Sequence, residues 1–465
     1  MIEFVLNNTL IKTNANTGMT LLHFIREKQH LMGTKSGCKE GDCGACTVLS
    51  GTLLNDNSIS YKSITSCLTP LANVQNKHVV SIEGLNLDNE LNVSQQAISD
   101  NHATQCGFCT PGFVVSLSGL SLSKNTPQVE DSIAAISGNI CRCTGYKSIE
   151  KAAQEVKTKL QDKNNDLKWL VDNKFIPAYF TEIPEKLKRI NTAQNKTNGT
   201  LIAGGTDIYV LHADALSEEN IKPAVEFVSN KIKFDKDICT IGASATVTDL
   251  MENEVLNKYY PELKIYLKLV SSEQIRNMAS LGGNFVNASP IGDMSIFFLA
   301  LNSTLVIADN EQVERRVRLN DFFKDYKSFD LNKNEIIQNI FFDLPGSNTY
   351  FNFEKVSKRT HLDIASVNTA ISIEVKNNII ISAHISIGGV AAIPKYLSKT
   401  CESISGKDLT TKLIVNAQKV MQAEISPISD IRGTEEYKRL LARQLFYAHF
   451  IKLFPHLFQL ENLLT

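Results

Sequence analysis

The sequence has 465 residues, of which 43% are hydrophobic and 21% charged, a balance typical of globular proteins that bury several cores. Its 48 basic and 49 acidic residues give a net charge of -1, which argues against nucleic acid or an anionic membrane as a partner. The first residues have no basic segment followed by an apolar one, so we predict no signal peptide. Clustered cysteines that stay reduced are typical of the cytoplasm, so we predict a cytoplasmic protein.

The first 143 residues carry eight of the ten cysteines. The first four follow the C-x4-C-x2-C spacing of a plant-type 2Fe–2S loop and a later fourth ligand: Cys38, Cys43, Cys46 and Cys67. Glycines in this run allow backbone N–H groups to approach cluster sulfurs. The flanks predict a hairpin turning at Asn7-Asn8, a helix in "TLLHFIREKQ" and a strand in "CTVLSGTLLN". The alternative, a structural zinc site, usually shows two C-x2-C pairs instead.

A second cysteine quartet follows in a segment of helical pattern. It pairs C-x2-C with C-x-C: Cys106, Cys109, Cys141 and Cys143. Helices are predicted from Thr110-Pro111, from Thr126-Pro127 to Gly138, and from a cap at Ser148. C-x2-C alone also occurs in redox pairs and zinc knuckles, but its position directly after a plant-type loop predicts a second cluster. Cys239 and Cys401 stand alone, and we expect them to be small buried hydrophobic residues.

Two glycine loops follow a polar segment, Thr158–Trp169, that predicts a linker. The loops are "LIAGGTDIYV" (Leu201–Val210) and "ASLGGNFVNASPIGDM" (Ala279–Met294). Backbone N–H groups of such loops can bind a pyrophosphate. Neither loop has the G-x-G-x-x-G fingerprint, so a Rossmann dinucleotide site is not indicated, and a Gly-Gly turn by itself is more often only a turn.

Together these motifs resemble the molybdenum hydroxylase family, which includes xanthine dehydrogenases, aldehyde oxidases and carbon monoxide dehydrogenases. The resemblance rests on "GCKEGDCGACTV", "QCGFCTPGFV", "NICRCTGY" and the two glycine loops. It implies a multidomain α+β fold: a β-grasp ferredoxin-like 2Fe–2S domain at 1–80, a helical 2Fe–2S domain at 81–160, a linker at 161–174, a two-part α+β FAD-binding domain at 175–347, and a small α+β C-terminal domain at 348–465.

The resemblance also implies which residues hold the cofactors. The eight clustered cysteines bind two 2Fe–2S clusters. FAD binding falls to Leu201, Ile202, Ala203, Gly204, Gly205, Thr206, Asp207, Ile208, Ser280, Gly283, Asn284, Val286, Asp293 and Lys355. Within this set, Ala203–Ile208 surround the pyrophosphate, and Asp293 accepts a hydrogen bond from a sugar or ribityl hydroxyl. Asp363 is expected near the isoalloxazine and Tyr326 near the nicotinamide entrance; surface or interface roles for Lys355, Asp363 and Tyr326 remain open.

Every segment is assigned without a molybdopterin domain, so the layout resembles the iron–sulfur/FAD small subunit of bacterial xanthine dehydrogenases. That resemblance implies no catalytic residue in this chain. It implies a molybdenum-cofactor partner subunit in a dimer of heterodimers, electron transfer through both clusters to FAD and on to NAD, and conversion of hypoxanthine or xanthine to urate. The alternatives are another molybdenum hydroxylase acting on an aldehyde or N-heterocycle, an electron-transfer module that does not use NAD, and a zinc-stabilised scaffold.

Overall fold

The computed structural model describes residues 1–124, 126–164, 166–190, 199–359 and 362–463. The chain forms two compact units. The first unit comprises Met1–Glu226 and Ser271–Ala279, and the second comprises Phe227–Val270 and Ser280–Thr465.

The first unit begins with a five-stranded sheet of order β2-β1-β5-β3-β4, in which β1 runs parallel to β5 and the other pairs are antiparallel. The predicted hairpin is confirmed, with Asn7 in the left-handed region. The strands of this unit are β1 Ile2–Leu6, β2 Thr9–Thr13, β3 Thr47–Leu53, β4 Ile59–Thr65, β5 Lys77–Val80, β6 Thr200–Ile202 and β7 Ile221–Pro223. β6 and β7 form a separate parallel pair.

Helices cover the cysteine-bearing part of the first unit. The predicted helix in "TLLHFIREKQ" is confirmed as Leu21–His23 followed by a π-helical stretch, Phe24–Lys28. The other helices of this unit are Val93–Asp100, Thr110–Ser121, Val129–Ile136, Lys147–Lys159, Leu167–Asp172, Ile183–Lys188, Ile208–Ser217 and Glu273–Arg276, with 3-10 turns at Leu71–Val74, Ile82–Leu85, Ala178–Glu182 and Ala224–Glu226.

Two predicted helix starts are wrong. The helix expected from Thr126-Pro127 begins at Val129, because Gln128 and Asp131 form a reciprocal capping box. The helix expected from a cap at Ser148 begins at Lys147, after Tyr146 in the left-handed region at φ 69°. The linker predicted at 161–174 contains the helix Leu167–Asp172.

That helix forms because its apolar residues reach the core. Leu170 is buried together with Phe175 and Ile176. The Trp169 and Phe175 rings stack with their centroids 5.7 Å apart. This segment therefore belongs to the packed body of the first unit.

The second unit has two main sheets, of order β11-β10-β14-β9-β8 and β15-β16-β17-β18, and a two-stranded pair of β12 and β13. Its strands are β8 Ile232–Asp235, β9 Ile238–Gly242, β10 Thr304–Asp309, β11 Glu314–Arg318, β12 Phe323–Asp325, β13 Ser328–Phe329, β14 Glu335–Asp343, β15 Thr349–Val356, β16 Val367–Lys376, β17 Ile379–Gly388 and β18 Lys395–Tyr396.

The helices of the second unit pack against these sheets. They are Val247–Met251, Glu254–Tyr259, Leu263–Lys268, Leu281–Asn287, Asp293–Ala300, Leu319–Phe322, Ser398–Ile404, Thr411–Glu424, Glu435–Leu453 and Leu460–Leu463. The helix Asp293–Ala300 is almost wholly buried, as its continuous apolar sequence predicts. The helix Glu435–Leu453 places Phe446 and Phe450 in one core with Ile371 and Ile385 of the β15–β18 sheet. In the described part of the chain, no helix combines the length and the hydropathy that crossing a bilayer requires.

Candidate iron–sulfur and flavin sites

The first cysteine quartet is brought together at the end of the β-grasp sheet. The Sγ atoms of Cys46 and Cys67 lie 3.3 Å apart, and both residues are buried. Cys38 and Cys43 form a second pair, in which the Cys38 N–H donates to the Cys43 Sγ at 3.4 Å. Gly41 adopts φ 81°, where a side chain would be strained. The structure therefore brings the cysteines of this quartet into two neighbouring pairs, and their role as cluster ligands stays a prediction.

The close sulfurs of each pair perturb one another's protonation. The hydrogen bond from Cys43 lowers the pKa of Cys38 to about 5, and the same contact raises the pKa of Cys43 above its usual range. The Cys46 and Cys67 pair behaves alike, with the pKa of Cys46 lowered by its hydrogen bond and that of Cys67 raised. The thiolate is the form of cysteine that binds a metal.

The second cysteine quartet also resolves into two pairs. The Sγ atoms of Cys106 and Cys143 lie 3.6 Å apart and both residues are exposed. Cys109 and Cys141 interact through their side chains, and burial raises the pKa of Cys109 to about 12. The Thr144 N–H and hydroxyl donate to the Cys141 Sγ at 3.5 and 3.1 Å. Such bonds are the kind that stabilise a cluster thiolate.

Pairs of sulfurs fit a two-metal cluster. A tetrahedral metal with sulfurs at about 2.3 Å holds two of them about 3.8 Å apart, close to both measured distances. A single structural zinc needs four ligands around one point. In the described residues, no group of three or more His, Cys, Asp or Glu side chains is arranged to hold one ion. Two pairs per quartet match a 2Fe–2S cluster bound by four cysteines. Cys239 and Cys401 are buried in the second unit, as predicted.

The two cysteine loops touch each other through backbone. The Ile140 N–H, directly before Cys141, donates to the Cys43 carbonyl at 2.9 Å. The side chain of Asn139 donates to the Gly44 carbonyl at 3.0 Å. Both quartets therefore lie in one compact unit, and their loops are joined directly.

The first glycine loop lies in the first unit and leads into the helix Ile208–Ser217. Gly205 adopts φ 79°, and a Cβ on Gly204 would lie 2.1 Å from the Met278 carbonyl oxygen. The Ala203 carbonyl accepts a hydrogen bond from Asn73 at 2.6 Å. A close-packed glycine turn at the start of a ten-residue helix suits an anionic pyrophosphate.

From Ser280 onward, the second glycine loop belongs to the second unit. Ser280 caps the helix Leu281–Asn287, and its Oγ accepts from the Gly283 N–H at 3.1 Å. Asn284 Oδ1 accepts from the N–H and hydroxyl of Ser295 at 3.1 and 3.0 Å. The predicted binding residues Ser280, Gly283 and Asn284 thus also hold the loop in shape, while Val286 is half-buried in the same helix.

Asp293 and Lys355 form an ion pair at the start of the helix Asp293–Ala300. Lys355 Nζ donates to Asp293 Oδ2 at 2.7 Å and to the Leu269 carbonyl at 2.8 Å. Asn368 Nδ2 donates to Asp293 Oδ1 at 2.5 Å. The Lys355 side chain is only 2% exposed and that of Asp293 14%. The structure therefore brings these two predicted residues together, and both carboxylate oxygens already accept hydrogen bonds.

Two further residues, Tyr326 and Asp363, were predicted near the nicotinamide and the flavin ring. Tyr326 is 64% exposed, in the turn between β12 and β13. The Asp363 carboxylate accepts from the backbone and side chain of Arg359 at 2.9 and 2.7 Å. Their roles toward NAD and flavin remain predictions.

Several buried polar residues were not expected from the sequence. Asn139, Gln274 and Arg276 are 3%, 0% and 2% exposed. Two sequence features could have indicated them: the polar run "SSEQIRN" shortly before the second glycine loop, and the Asn that precedes "ICRC". Buried polar groups that are not part of a regular pattern indicate specific partners.

Four family matches follow one another along the chain. Residues 4–72 match the 2Fe–2S iron–sulfur cluster binding domain and residues 81–154 the 2Fe–2S binding domain. Residues 176–345 match the FAD binding domain in molybdopterin dehydrogenase, and residues 352–453 the CO dehydrogenase flavoprotein C-terminal domain. The predicted multidomain α+β fold is thereby confirmed.

Curated relatives extend the likeness over most of the chain. It is 27% identical to xanthine dehydrogenase 1 of Arabidopsis thaliana, with 93% of this chain and 38% of that protein aligned. Xanthine dehydrogenase of Oryza sativa subsp. japonica is 29% identical, with coverages of 93% and 38%. Aldehyde oxidase 3 of Mus musculus is 26% identical, with coverages of 98% and 39%. The chain thus spans about two fifths of the length of these relatives.

Solved structures agree on the fold. Carbon monoxide dehydrogenase from Hydrogenophaga pseudoflava superposes with a TM-score of 0.52 at 21% identity, over 56% of this chain and 90% of that one. The enzyme from Oligotropha carboxidovorans gives 0.51 at 22% identity, over 55% and 90%. The chain therefore matches, in this order, models of two 2Fe–2S domains, an FAD-binding domain and a flavoprotein C-terminal domain.

Proposed function

We propose that the chain is the iron–sulfur/FAD subunit of an NAD-dependent xanthine dehydrogenase. Its role is to pass electrons from a molybdenum-cofactor partner through two clusters and FAD to NAD, while the partner hydroxylates hypoxanthine or xanthine to urate. One observation carries the electron-transfer part: two cysteine quartets, each with a pair of sulfurs within 3.6 Å, lie in one compact unit with their loops joined by hydrogen bonds. A scaffold without redox chemistry has no need of two such sites side by side.

The residues of this chain hold and tune the cofactors. When bound, iron–sulfur clusters supply one-electron chemistry, and FAD supplies the exchange between one-electron and two-electron steps. The cysteines provide thiolates, and N–H groups such as those of Glu40 and Thr144 donate to their sulfurs. We propose that Asp293, which Lys355 and Asn368 hold in place, accepts a hydrogen bond from a hydroxyl of the FAD sugar or ribityl chain.

The exposure of the second quartet supports its position as the electron entry point. Cys106 and Cys143 are exposed, and Phe108 and Tyr146 near them are 49% and 38% exposed. Exposed aromatic residues are common at protein interfaces. We propose that the molybdenum partner docks there, in a dimer of heterodimers in the cytoplasm, where thiols stay reduced.

The choice of substrate rests on similarity alone. Xanthine dehydrogenases of two plants match at 27% and 29% identity, which favours a purine and NAD. Aldehyde oxidase 3 matches at 26%, so an aldehyde or N-heterocycle hydroxylase is the second candidate.

An anaerobic absorption titration of the purified chain with NADH tests the cofactors and the acceptor together. The proposal expects flavin and iron–sulfur bands that bleach together. Coloured protein that NADH does not bleach would remove NAD from the proposal. Colourless protein that cannot be reconstituted with iron, sulfide and FAD would contradict the electron-transfer role itself.

The substrate needs the complex with the molybdenum subunit. Reduction of NAD is compared with xanthine, hypoxanthine, an aromatic aldehyde and an N-heterocycle as electron donors. Faster turnover of the aldehyde or the heterocycle than of both purines would favour the second candidate and contradict the xanthine assignment.

A further inference from the structure

A buried polar triad lies where the two cysteine loops meet. Its members come from three separate segments of the first unit: Ser116 from the helix Thr110–Ser121, Asn139 from the turn before Cys141, and Gln274 from the helix Glu273–Arg276. They are 1%, 3% and 0% exposed. None of them ligates a cluster or belongs to the predicted flavin set.

The hydrogen bonds of the triad fix the orientation of each side chain. Ser116 Oγ donates to Asn139 Oδ1 at 2.8 Å. Gln274 Nε2 donates to Ser116 Oγ at 3.0 Å and to Asn139 Oδ1 at 3.2 Å. Asn139 Nδ2 is then left to donate to the Gly44 carbonyl at 3.0 Å. The amide orientations follow from this network, because the opposite orientation would set oxygen against oxygen.

These hydrogen bonds hold one cysteine loop against the other. Asn139 and Ile140 belong to the loop that carries Cys141, and they bond to the carbonyls of Gly44 and Cys43 in the other loop. The contact therefore includes two hydrogen bonds that run from the residues just before Cys141 to the carbonyls of Cys43 and Gly44.

Three glycines show how tightly the contact is packed. A Cβ on Gly44 would lie 2.4 Å from Asn139 Nδ2, and one on Gly112 would lie 2.3 Å from the Gly44 carbonyl oxygen. A Cβ on Gly138 would lie 2.0 Å from Gln274 Oε1. The side chains of Asn139 and Gln274 thus fill the space beside these glycines, and a Cβ at any of the three positions would push the packed segments apart.

The segment that carries Gln274 contacts the first cysteine loop as well. A Cβ on Gly41 would lie 2.8 Å from Ile275 Cδ1, and Asn277 donates to the Ser63 carbonyl at 2.8 Å. Gln274 Oε1 is buried without a hydrogen-bond partner among the described residues, which is unfavourable by about 1–3 kcal/mol. The glutamine is thus held through its donating N–H group despite that cost.

We propose that Asn139, Ser116 and Gln274 are positioning residues that fix the spacing of the two clusters and thereby set the rate of electron transfer between them. The proposal rests on the proposed function, because it requires a cluster on each quartet. The step moves one electron: one cluster loses it, the other gains it, and no covalent bond or proton changes. The rate of electron transfer between two clusters depends steeply on the distance between them. Hydrogen bonds that fix this distance therefore also fix the rate.

The test uses the full chain with both clusters in place and compares Gln274→Met and Ser116→Ala with wild type. Methionine keeps the length of Gln274 but removes its N–H donors and its unpartnered oxygen. Ser118→Ala is the matched control, since Ser118 is equally buried in the same helix but bonds to Ser94. The readouts are iron content, the splitting of the electron paramagnetic resonance lines when both clusters are reduced, and the rate of intercluster electron equilibration after photoreduction.

We expect both variants to retain their iron, to show altered spin–spin splitting, and to equilibrate more slowly. Because electron transfer slows as the distance between the clusters grows, we expect a slowing of more than about twofold for Gln274→Met and a smaller one for Ser116→Ala. Ser118→Ala should match wild type.

Splitting and rate unchanged within about twofold in both variants would overturn the proposal while leaving the proposed function intact. Loss of iron from both variants would also overturn it, because the triad would then maintain the loops rather than their spacing. Wild-type protein without two clusters would instead contradict the proposed function, on which this inference depends.

Discussion

Removal of the buried lysine beside Asp293 should strongly destabilise the second unit. In Lys355→Met, the Asp293 carboxylate loses its 2.7 Å ion pair, and the Leu269 carbonyl loses its donor. Breaking a buried pair by removing one partner typically destabilises by about 3–5 kcal/mol. Asp293 is 14% exposed and keeps its bond from Asn368, so we expect about 3 kcal/mol, the lower end of that range. At about 2–4 °C per kcal/mol for a domain of about 150–250 residues, Tm should fall by about 6–12 °C.

A double variant separates the ion pair from simple loss of packing. Asp293→Asn combined with Lys355→Met removes the stranded charge, so it should regain about 0.5–3 kcal/mol relative to the sum of the single changes. Lys452→Met is the matched control, because its pair with Glu262 is 38% and 45% exposed and is worth about 0–1 kcal/mol.

Thermal unfolding of the full chain freed of FAD, followed by circular dichroism, measures five proteins under one condition: wild type, Asp293→Asn, Lys355→Met, the double variant and Lys452→Met. A Tm for Lys355→Met within 2 °C of wild type, or strict additivity in the double variant, would refute the reasoning.

The remaining predictions concern the clusters, the loop contact and pH. Under the proposed function, Cys43→Ser in the complex with the molybdenum subunit should lose about half of this chain's iron and stop substrate-driven reduction of NAD, while NADH-to-dye activity persists; full substrate-driven transfer in this variant would contradict the path. Gly112→Ala, whose Cβ would meet a backbone oxygen at 2.3 Å, should lower stability by about 1–3 kcal/mol in thermal unfolding, whereas Gly119→Ala, which meets the rotatable Ser63 hydroxyl, should change it by less than about 1 kcal/mol. Burial lowers the pKa of His449 to about 3 in the folded protein, whereas the pKa of an unfolded histidine is near 6.5. Between these two pH values only the unfolded chain binds the proton. The free energy of unfolding is therefore unaffected by His449 above about pH 6.5 and falls by about 1.4 kcal/mol for each pH unit below it. Tm measured from pH 7 to pH 4 should therefore fall less steeply in His449→Gln, and equal slopes would argue against this titration.

Local sequence patterns predicted the regular elements well because their causes are local. The hairpin at Asn7-Asn8 and the helix after Thr110-Pro111 depend on turn and first-turn residues a few positions apart. The start predicted at Ser148 is wrong for an equally local reason. Tyr146, just before the helix, adopts a left-handed backbone conformation that residues other than glycine seldom take, so the sequence did not indicate it.

The spacing of the cysteines predicted two quartets, but it could not predict how each quartet divides into pairs. Cys67 meets Cys46 because the antiparallel pairing of β3 and β4 returns the chain to the same end of the sheet, with Thr47 opposite Thr65. In the same way, Lys355 reaches Asp293 from a strand 62 residues away. Such contacts depend on sheet register and tertiary packing, which helical or strand periodicity does not encode.

The segment Ser271–Ala279 shows the limit of reading domains from contiguous sequence. It lies between two stretches of the second unit but packs in the first. Gln274 reaches Asn139 across 135 residues, and Asn277 reaches Ser63 across 214. The same nine residues therefore support both cysteine loops and continue directly into Ser280, where the second glycine loop begins. A fragment that ends at Glu226 would keep all eight clustered cysteines but lose this support, so cysteine spacing alone does not define the complete electron-transfer unit.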